Sequence, residues 1–462
     1  MVELVCAWSP FVGHIGLMDK AGKTDAARRL FRKNNEFSPR FELGSVGTMT
    51  AGKALKAAAS ASALGFALLY AGAAAAADPV KIDVHGKASI AAGLVDGDAR
   101  ADGDAEVTVK GSTVLNNGIE IGAALKGRYD RQQPGQLYGG GRYSSLLIGG
   151  PRGVGPLTGD AYLEGAYAYA RGGFGQFIAG RSEGVARTLA VTAPTIFRSV
   201  GVNDWRTDLS GLNDVHTVND FTGYSTKFTY LPPANFLGGV LGGLQLGVSY
   251  SPTLSHCGAD LCAPQDRLLL APNGALLTET SRWDDAIEAA MYYQKAIGGR
   301  NGVLVGFGAS YLTANEDARV SSSVFTDYNA YSLGLNLGFR GLTVGGSVKS
   351  TNSGISELAN DGYLAFDAGV TFKTGEDKGD WGFMLGYGQA QANVAAPSAG
   401  VGAVSNPLIF RDTQTAQAGV TYFVGRGITV GAAAQYVESN KPAAAGGQQE
   451  ATTVVVESSI KF

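Results

Sequence analysis

From residue 80 to the C-terminus, apolar and polar residues alternate with period two in one segment after another. Val80, Ile82, Val84, Gly86, Ala88, Ile90 and Ala92 share one face of the first segment, opposite Lys81, Asp83, His85, Lys87 and Ser89. A strand sends successive side chains to opposite faces, so this period predicts extended segments with one apolar and one polar surface. Ile119, Ile121, Ala123, Leu125 and Tyr129 repeat the pattern against Glu120, Lys126, Arg128 and Asp130. Tyr331, Leu333, Leu335, Leu337 and Phe339 oppose Ser332, Gly334, Asn336 and Gly338, and Thr452 to Phe462 closes the chain in the same way.

About sixteen such strands are expected, with starts near residues 80, 105, 118, 161, 173, 221, 243, 284, 302, 327, 341, 362, 380, 413, 427 and 452. Their connections alternate in length. Leu115-Asn116-Asn117, Arg171-Gly172, Gly298–Asn301, Arg340 and Gly425-Arg426 are short, whereas 131–160, 182–220, 252–283, 390–412 and 438–451 are long. A soluble sandwich also alternates along its strands, but it has no reason for this rhythm of loops. Short turns at one rim and long loops at the other fit a transmembrane antiparallel β-barrel. Aromatics near strand ends (Tyr129, Tyr230, Tyr250, Tyr311, Phe339, Phe372, Trp381, Tyr422, Tyr436) fit the interfacial girdles of such a barrel. The expected fold is therefore all-β.

The N-terminus does not share the period. From Met49, Lys53 and Lys56 precede an apolar segment beginning at Ala57, and Ala75-Ala76-Ala77 offers a cleavage site before Asp78. This order of features predicts an export signal over residues 49–77 and a mature barrel over 78–462. Residues 1–48 are mixed and charged, and they stand before a complete signal with its own methionine. We expect them to be a non-native or untranslated preface, with translation starting at Met49.

Composition sharpens this picture in three places. There are 67 glycines among 462 residues and 17% charged residues, unlike an average soluble chain. The one long apolar run lies at Ala57–Ala77, which excludes a bundle of membrane helices. The formal net charge is -3, and residues 1–77 hold more Lys and Arg than Asp and Glu, so the mature chain carries about -7. There is no basic run with interleaved aromatics, and no nucleic-acid partner is expected.

Three stretches make the mature chain resemble the Gram-negative general porins. The alternating last strand ends in Phe462, similar to the signal read by the outer-membrane assembly machinery. Gly173-Phe174-Gly175-Gln176-Phe177-Ile178-Ala179-Gly180-Arg181 resembles the family's strand before the third loop. Asn219-Asp220-Phe221-Thr222-Gly223-Tyr224-Ser225-Thr226-Lys227 resembles the strand returning from it. The resemblance implies a homotrimer in the outer membrane, in contact with its lipids and lipopolysaccharide, with a third loop, about 182–220, folded into the pore. It also implies passive diffusion of ions and small hydrophilic solutes. The loop departs from the enterobacterial pattern, with Ala193-Pro194-Thr195-Ile196-Phe197 where Pro-Glu-Phe-Gly-Gly would stand.

Selectivity in such a pore comes from its width and from charges at the narrowest point. The candidates in the loop are Glu183, Arg187, Arg198, Asp204, Arg206, Asp208 and Asp214, with Arg128, Arg181 and Lys227 on inward faces of neighbouring strands. Cys257 and Cys262 lie close together in a long outer loop, where an oxidising periplasm favours a disulfide over free thiols or a partial metal site. The acidic stretch Asp96–Glu106 has oxygen ligands at alternate positions that suit calcium, but Arg100 breaks an EF-hand order, and a solvated acidic loop is the plainer reading. No other metal or cofactor is expected. Ser210, Asp214 and His216 are close in sequence without the context of a catalytic triad, and no P-loop or zinc motif occurs, so the chain is not expected to be an enzyme. The alternatives are a solute-specific channel, an adhesive or structural surface barrel, and an outer-membrane hydrolase.

Overall fold

The computed structural model describes residues 78–130, 160–203, 207–233, 242–254, 266–270, 276–280, 282–298, 302–317, 326–352, 354, 362–395, 408–440 and 447–462. The expected preface and export signal, Asp204, Arg206, Cys257 and Cys262 lie outside the described residues.

The alternating segments close into one antiparallel barrel of sixteen strands. The first half runs β1 (Lys81–Val95), β2 (Asp98–Val114), β3 (Glu120–Asp130), β4 (Asp160–Gly172), β5 (Gly175–Arg181), β6 (Thr226–Leu231) and β7 (Leu244–Leu254). Two short strands, β8 (Asp266–Leu270) and β9 (Leu276–Thr280), pair only with each other within the connection that follows. The barrel resumes with β10 (Arg282–Ile297), β11 (Val303–Asp317), β12 (Tyr328–Phe339), β13 (Leu342–Thr351) and β14 (Tyr363–Lys373). It ends with β15 (Trp381–Ala395), β16 (Leu408–Gly425), β17 (Ile428–Asn440) and β18 (Gln449–Lys461). Closure comes from β1 on β18, where Ala88 lies opposite Ile460. Phe462 extends that seam, its N–H and C=O both bonded to the backbone of Gly86.

Closure leaves no free sheet edge, so the backbone polar groups are satisfied from strand to strand. The outward rows are apolar and exposed: Ile82, Val84 and Ile90 on β1, Leu333, Leu335 and Leu337 on β12, Val454 and Val456 on β18. This is the inverse of a soluble protein. The inward rows carry Ser332, Asp367, Gln417 and Glu457, all buried. Pairs such as Trp381 with Tyr422, ring centroids 5.0 Å apart, sit at strand ends as expected of a girdle.

Two expectations need correction. The acidic stretch 96–106 is not a loop. Asp96 and Gly97 take positive φ (51° and 95°), a two-residue turn for which Asp-Gly is suited, and β2 begins at Asp98. Its acids consequently alternate along a strand instead of gathering round one point. Among the described residues, no three His, Cys, Asp or Glu side chains converge as a metal site. The strand expected from residue 221 begins at Thr226, because Phe221–Tyr224 form a turn.

Candidate functional site

Between β5 and β6, described residues of the connection hydrogen-bond to inward side chains of the barrel wall. A one-turn helix, α1 (Val185–Thr188), starts this path, and the Ala186 N–H donates to Glu288 of β10 at 3.1 Å. Further on, the Ala193 N–H donates to Asp367 of β14 at 3.1 Å. The N–H groups of Arg198, Ser199 and Val200 donate to Glu457 of β18 at 3.0, 2.8 and 3.0 Å. A segment without regular structure has unpaired N–H groups, and these three inward carboxylates accept several of them. Inward glycines help. A Cβ on Gly334 would fall 1.9 Å from the Val191 carbonyl oxygen, so the backbones meet there only because that side chain is missing.

Apolar contacts reinforce the path. Ile196, Phe197, Val200, Leu209 and Leu212 cluster with inward-facing Val95 of β1, Val437 of β17 and Val455 of β18. At the returning end, Phe221 stacks on Tyr328 at 3.7 Å and meets Trp283 edge-on at 5.5 Å. Each buried aromatic withdraws a large apolar area from water and so fixes its end of the segment.

Opposite lies a ladder of charges on β1 to β4. Arg128 pairs with Asp104 at 2.6 Å, Glu106 at 3.2 Å and Glu164 at 3.3 Å. Lys126 lies 3.1 Å from Glu106, 3.3 Å from Glu164 and 3.5 Å from Glu183. Tyr224 joins wall and segment. Its hydroxyl accepts from Lys126 at 2.6 Å and donates to Glu183 at 2.5 Å. Burial and the nearby carboxylates push this phenol up, so it stays a donor. Burial opposes the charge on Glu183, but Lys126 and Arg187 outweigh it and hold the carboxyl well below the usual range. Arg187 pairs with Asp220 and lies 3.5 Å from Glu183; burial works against its charge, and these two acids raise it above its ordinary value.

A cavity of about 340 Å³ lies between ladder and segment, lined by Lys87, Asp104, Arg128, Arg187, Arg198 and His216 among others. Arg128, Arg187 and Arg198 thus meet around one space, and Glu183 stands beside them through Arg187. Lys87, an inward residue of β1, also lines it. Its place on the polar row of the first strand was the available signal.

Other candidates point elsewhere. Asp208 accepts from the Ser210 and Asn213 N–H groups at 3.0 and 2.9 Å, tying a turn. Asp214 accepts from Thr413 of β16 at 3.2 Å, against the wall. Lys227 is fully buried and donates to Thr222 and the Gly223 carbonyl at 2.8 and 2.6 Å. The inward placement expected of Arg181 is corrected by register. It pairs with Thr226, two residues before outward Phe228, and its exposed guanidinium donates to the Tyr224 carbonyl at 3.3 Å. The Ser210 hydroxyl donates to Asp208 at 2.6 Å, so the hydroxyl hydrogen of the loose Ser210, Asp214, His216 cluster is committed elsewhere.

A family model described as Gram-negative porin matches residues 57–442, well over half of the chain. The chain belongs to the Gram-negative porin family. It is an outer-membrane diffusion channel. No curated protein matches this porin's sequence. Among solved structures it is similar to the outer membrane channel DcaP of Acinetobacter baumannii, at 11% identity and a TM-score of 0.50, over 83% of this chain and 98% of that one. OmpF of Salmonella typhi, solved with daunomycin, matches at 15% identity and a TM-score of 0.47, over 83% of this chain and 98% of that one. OprB of Pseudomonas putida matches at 11% and 0.49, over 86% and 96%. The DcaP likeness is one of fold, the closed barrel seen in this porin.

Proposed function

We propose that ions and small hydrophilic solutes pass between the charged ladder of β1 to β4 and the segment 182–220, which is the constriction. The observation that carries this reading is the segment's attachment along the inward faces of β10, β14 and β18, opposite the cavity lined by Lys87, Arg128, Arg187 and Arg198. Water and solutes must then share the space left beside it, where fixed charges act across a short, confined distance. The porin works as a homotrimer, and Phe462 at the closing strand is its assembly signal.

Thiol modification tests the path. In a background without Cys257 and Cys262, Thr195→Cys on the cavity should react with a charged methanethiosulfonate and lose single-channel current. Leu335→Cys, on the outward face, should leave the current unchanged. Equal responses at both positions would reject the segment as constriction. Resistance of a heat-sensitive trimer band to detergent at room temperature tests the assembly.

A further inference from the structure

We propose that the cavity between the ladder and the segment selects anions, with Arg198 and Lys87 as the residues that set the preference. The proposal rests on the reading that solutes cross at this cavity. Total charge points the other way, since the chain is formally -3. What matters for an ion in transit is the charge left facing the path, and here the two signs are used differently.

The acids are spent on structure. Glu288, Asp367 and Glu457 are at most 3% exposed, and each accepts hydrogen bonds from the segment that covers it. Asp208 is 1% exposed and bound to backbone N–H groups of its own turn. Among the described residues lining the cavity there are four Lys or Arg, namely Lys87, Arg128, Arg187 and Arg198, and one carboxylate, Asp104. Asp104 is already engaged by Arg128 at 2.6 Å. Arg128 and Arg187 are balanced by acids at contact distance.

The remaining two cations are held less closely. Among the described residues the Arg198 Nη1 is buried without a hydrogen-bond partner. Glu457, the acid nearest along the wall, takes the backbone N–H of Arg198 instead. Lys87 is 3.8 Å from Glu106, with 37% of its side chain exposed. A cation drawn out of bulk water without a full set of acceptors is costly, and an anion that supplies them relieves that cost. A guanidinium fork together with an ammonium group suits oxyanions, so the favoured solutes are small carboxylates and phosphates as well as chloride.

The test is the reversal potential of purified full-length protein in planar bilayers under a potassium chloride gradient. The wild type should prefer chloride. Arg198→Gln and Lys87→Gln should each lower the chloride-to-potassium permeability ratio by about twofold or more. Arg198→Lys, which keeps the charge, should retain most of the preference, and Lys378→Gln, in the turn between β14 and β15, should leave it unchanged. Inorganic phosphate should reduce the chloride current of the wild type and act less on Arg198→Gln. Heat-modifiable mobility confirms that each variant is a folded barrel. Potassium preference in the wild type, or an unaltered ratio in both glutamine variants, overturns anion selection while leaving the channel intact. Absence of any conductance steps overturns the channel reading as well.

Discussion

Leu335 and Asn336 are consecutive in β12 and meet different surroundings. Leu335 is 45% exposed on the outward face, whereas Asn336 donates to the Thr192 carbonyl of the inward segment at 3.1 Å. Leu335→Arg, near the middle of the membrane, should cost about 2–4 kcal/mol. Asn336→Arg stays in an aqueous interior and loses one hydrogen bond, about 1 kcal/mol. Equilibrium unfolding from lipid vesicles would show the difference, and equal losses would mean the two faces are misassigned. These faces were legible because period two is a local rule. What each inward charge touches was not, because contacts to a distant segment carry no period. Asp208 and Asp214 read as pore charges in sequence, and both turned out to hold the segment.

Glu183 shows the same distinction in its titration. Its carboxyl is held below the ordinary range, so its ion pairs with Lys126 and Arg187 form fully above the unfolded value and fail only as pH falls through the lower, folded one. Glu183→Gln removes a negative charge beside the path and should shift preference towards anions. Reversal potentials of wild type and variant should differ by a constant amount between about pH 7 and about pH 5, since Glu183 stays ionised across that window. Convergence of the two curves within it would show that the carboxyl protonates there.

At the scale of elements, the strands came from the pattern and the inward segment came from a resemblance. Yet a signal for its docking was present. Ala91, Val95, Ala433, Val437, Ala451 and Val455 are inward positions on β1, β17 and β18, apolar where a water-filled wall would be polar, and they lie under the segment. β2 hides in the sequence for the opposite reason: a strand lined by Asp98, Asp102 and Asp104 looks like a loop until its partner strands are known. Glu457 is the most heavily used anchor, accepting three backbone N–H groups and the Ser199 hydroxyl. Glu457→Ala would strand those donors, at about 1–3 kcal/mol for each left buried. The expected result is a segment that leaves the wall intermittently, seen as added current noise on a barrel with normal heat-modifiable mobility. Quiet current at wild-type conductance would mean the apolar contacts suffice.

For the molecule as a whole, wall and segment are separable, and their charges are not. The barrel is held by strand-to-strand hydrogen bonds round a closed ring, and none of its pairings passes through the segment. Replacing residues 190–213 with a short glycine linker should therefore leave the barrel closed. It should also change conduction in two ways at once. Resistance in a pore is concentrated at its narrowest section, so single-channel conductance should rise. The deletion also removes Arg198 and uncovers Asp367 and Glu457, which in the intact protein are buried beneath that stretch. Carboxylates uncovered to the path attract cations, so the wider pore should shift from chloride towards potassium. Glu457→Gln in the deleted form should then weaken the new potassium preference, whereas in the intact protein that side chain faces the segment and not the path. Larger conductance with unchanged ion preference would mean that the segment narrows the channel without masking its acids. Unchanged conductance would place the segment outside the path altogether.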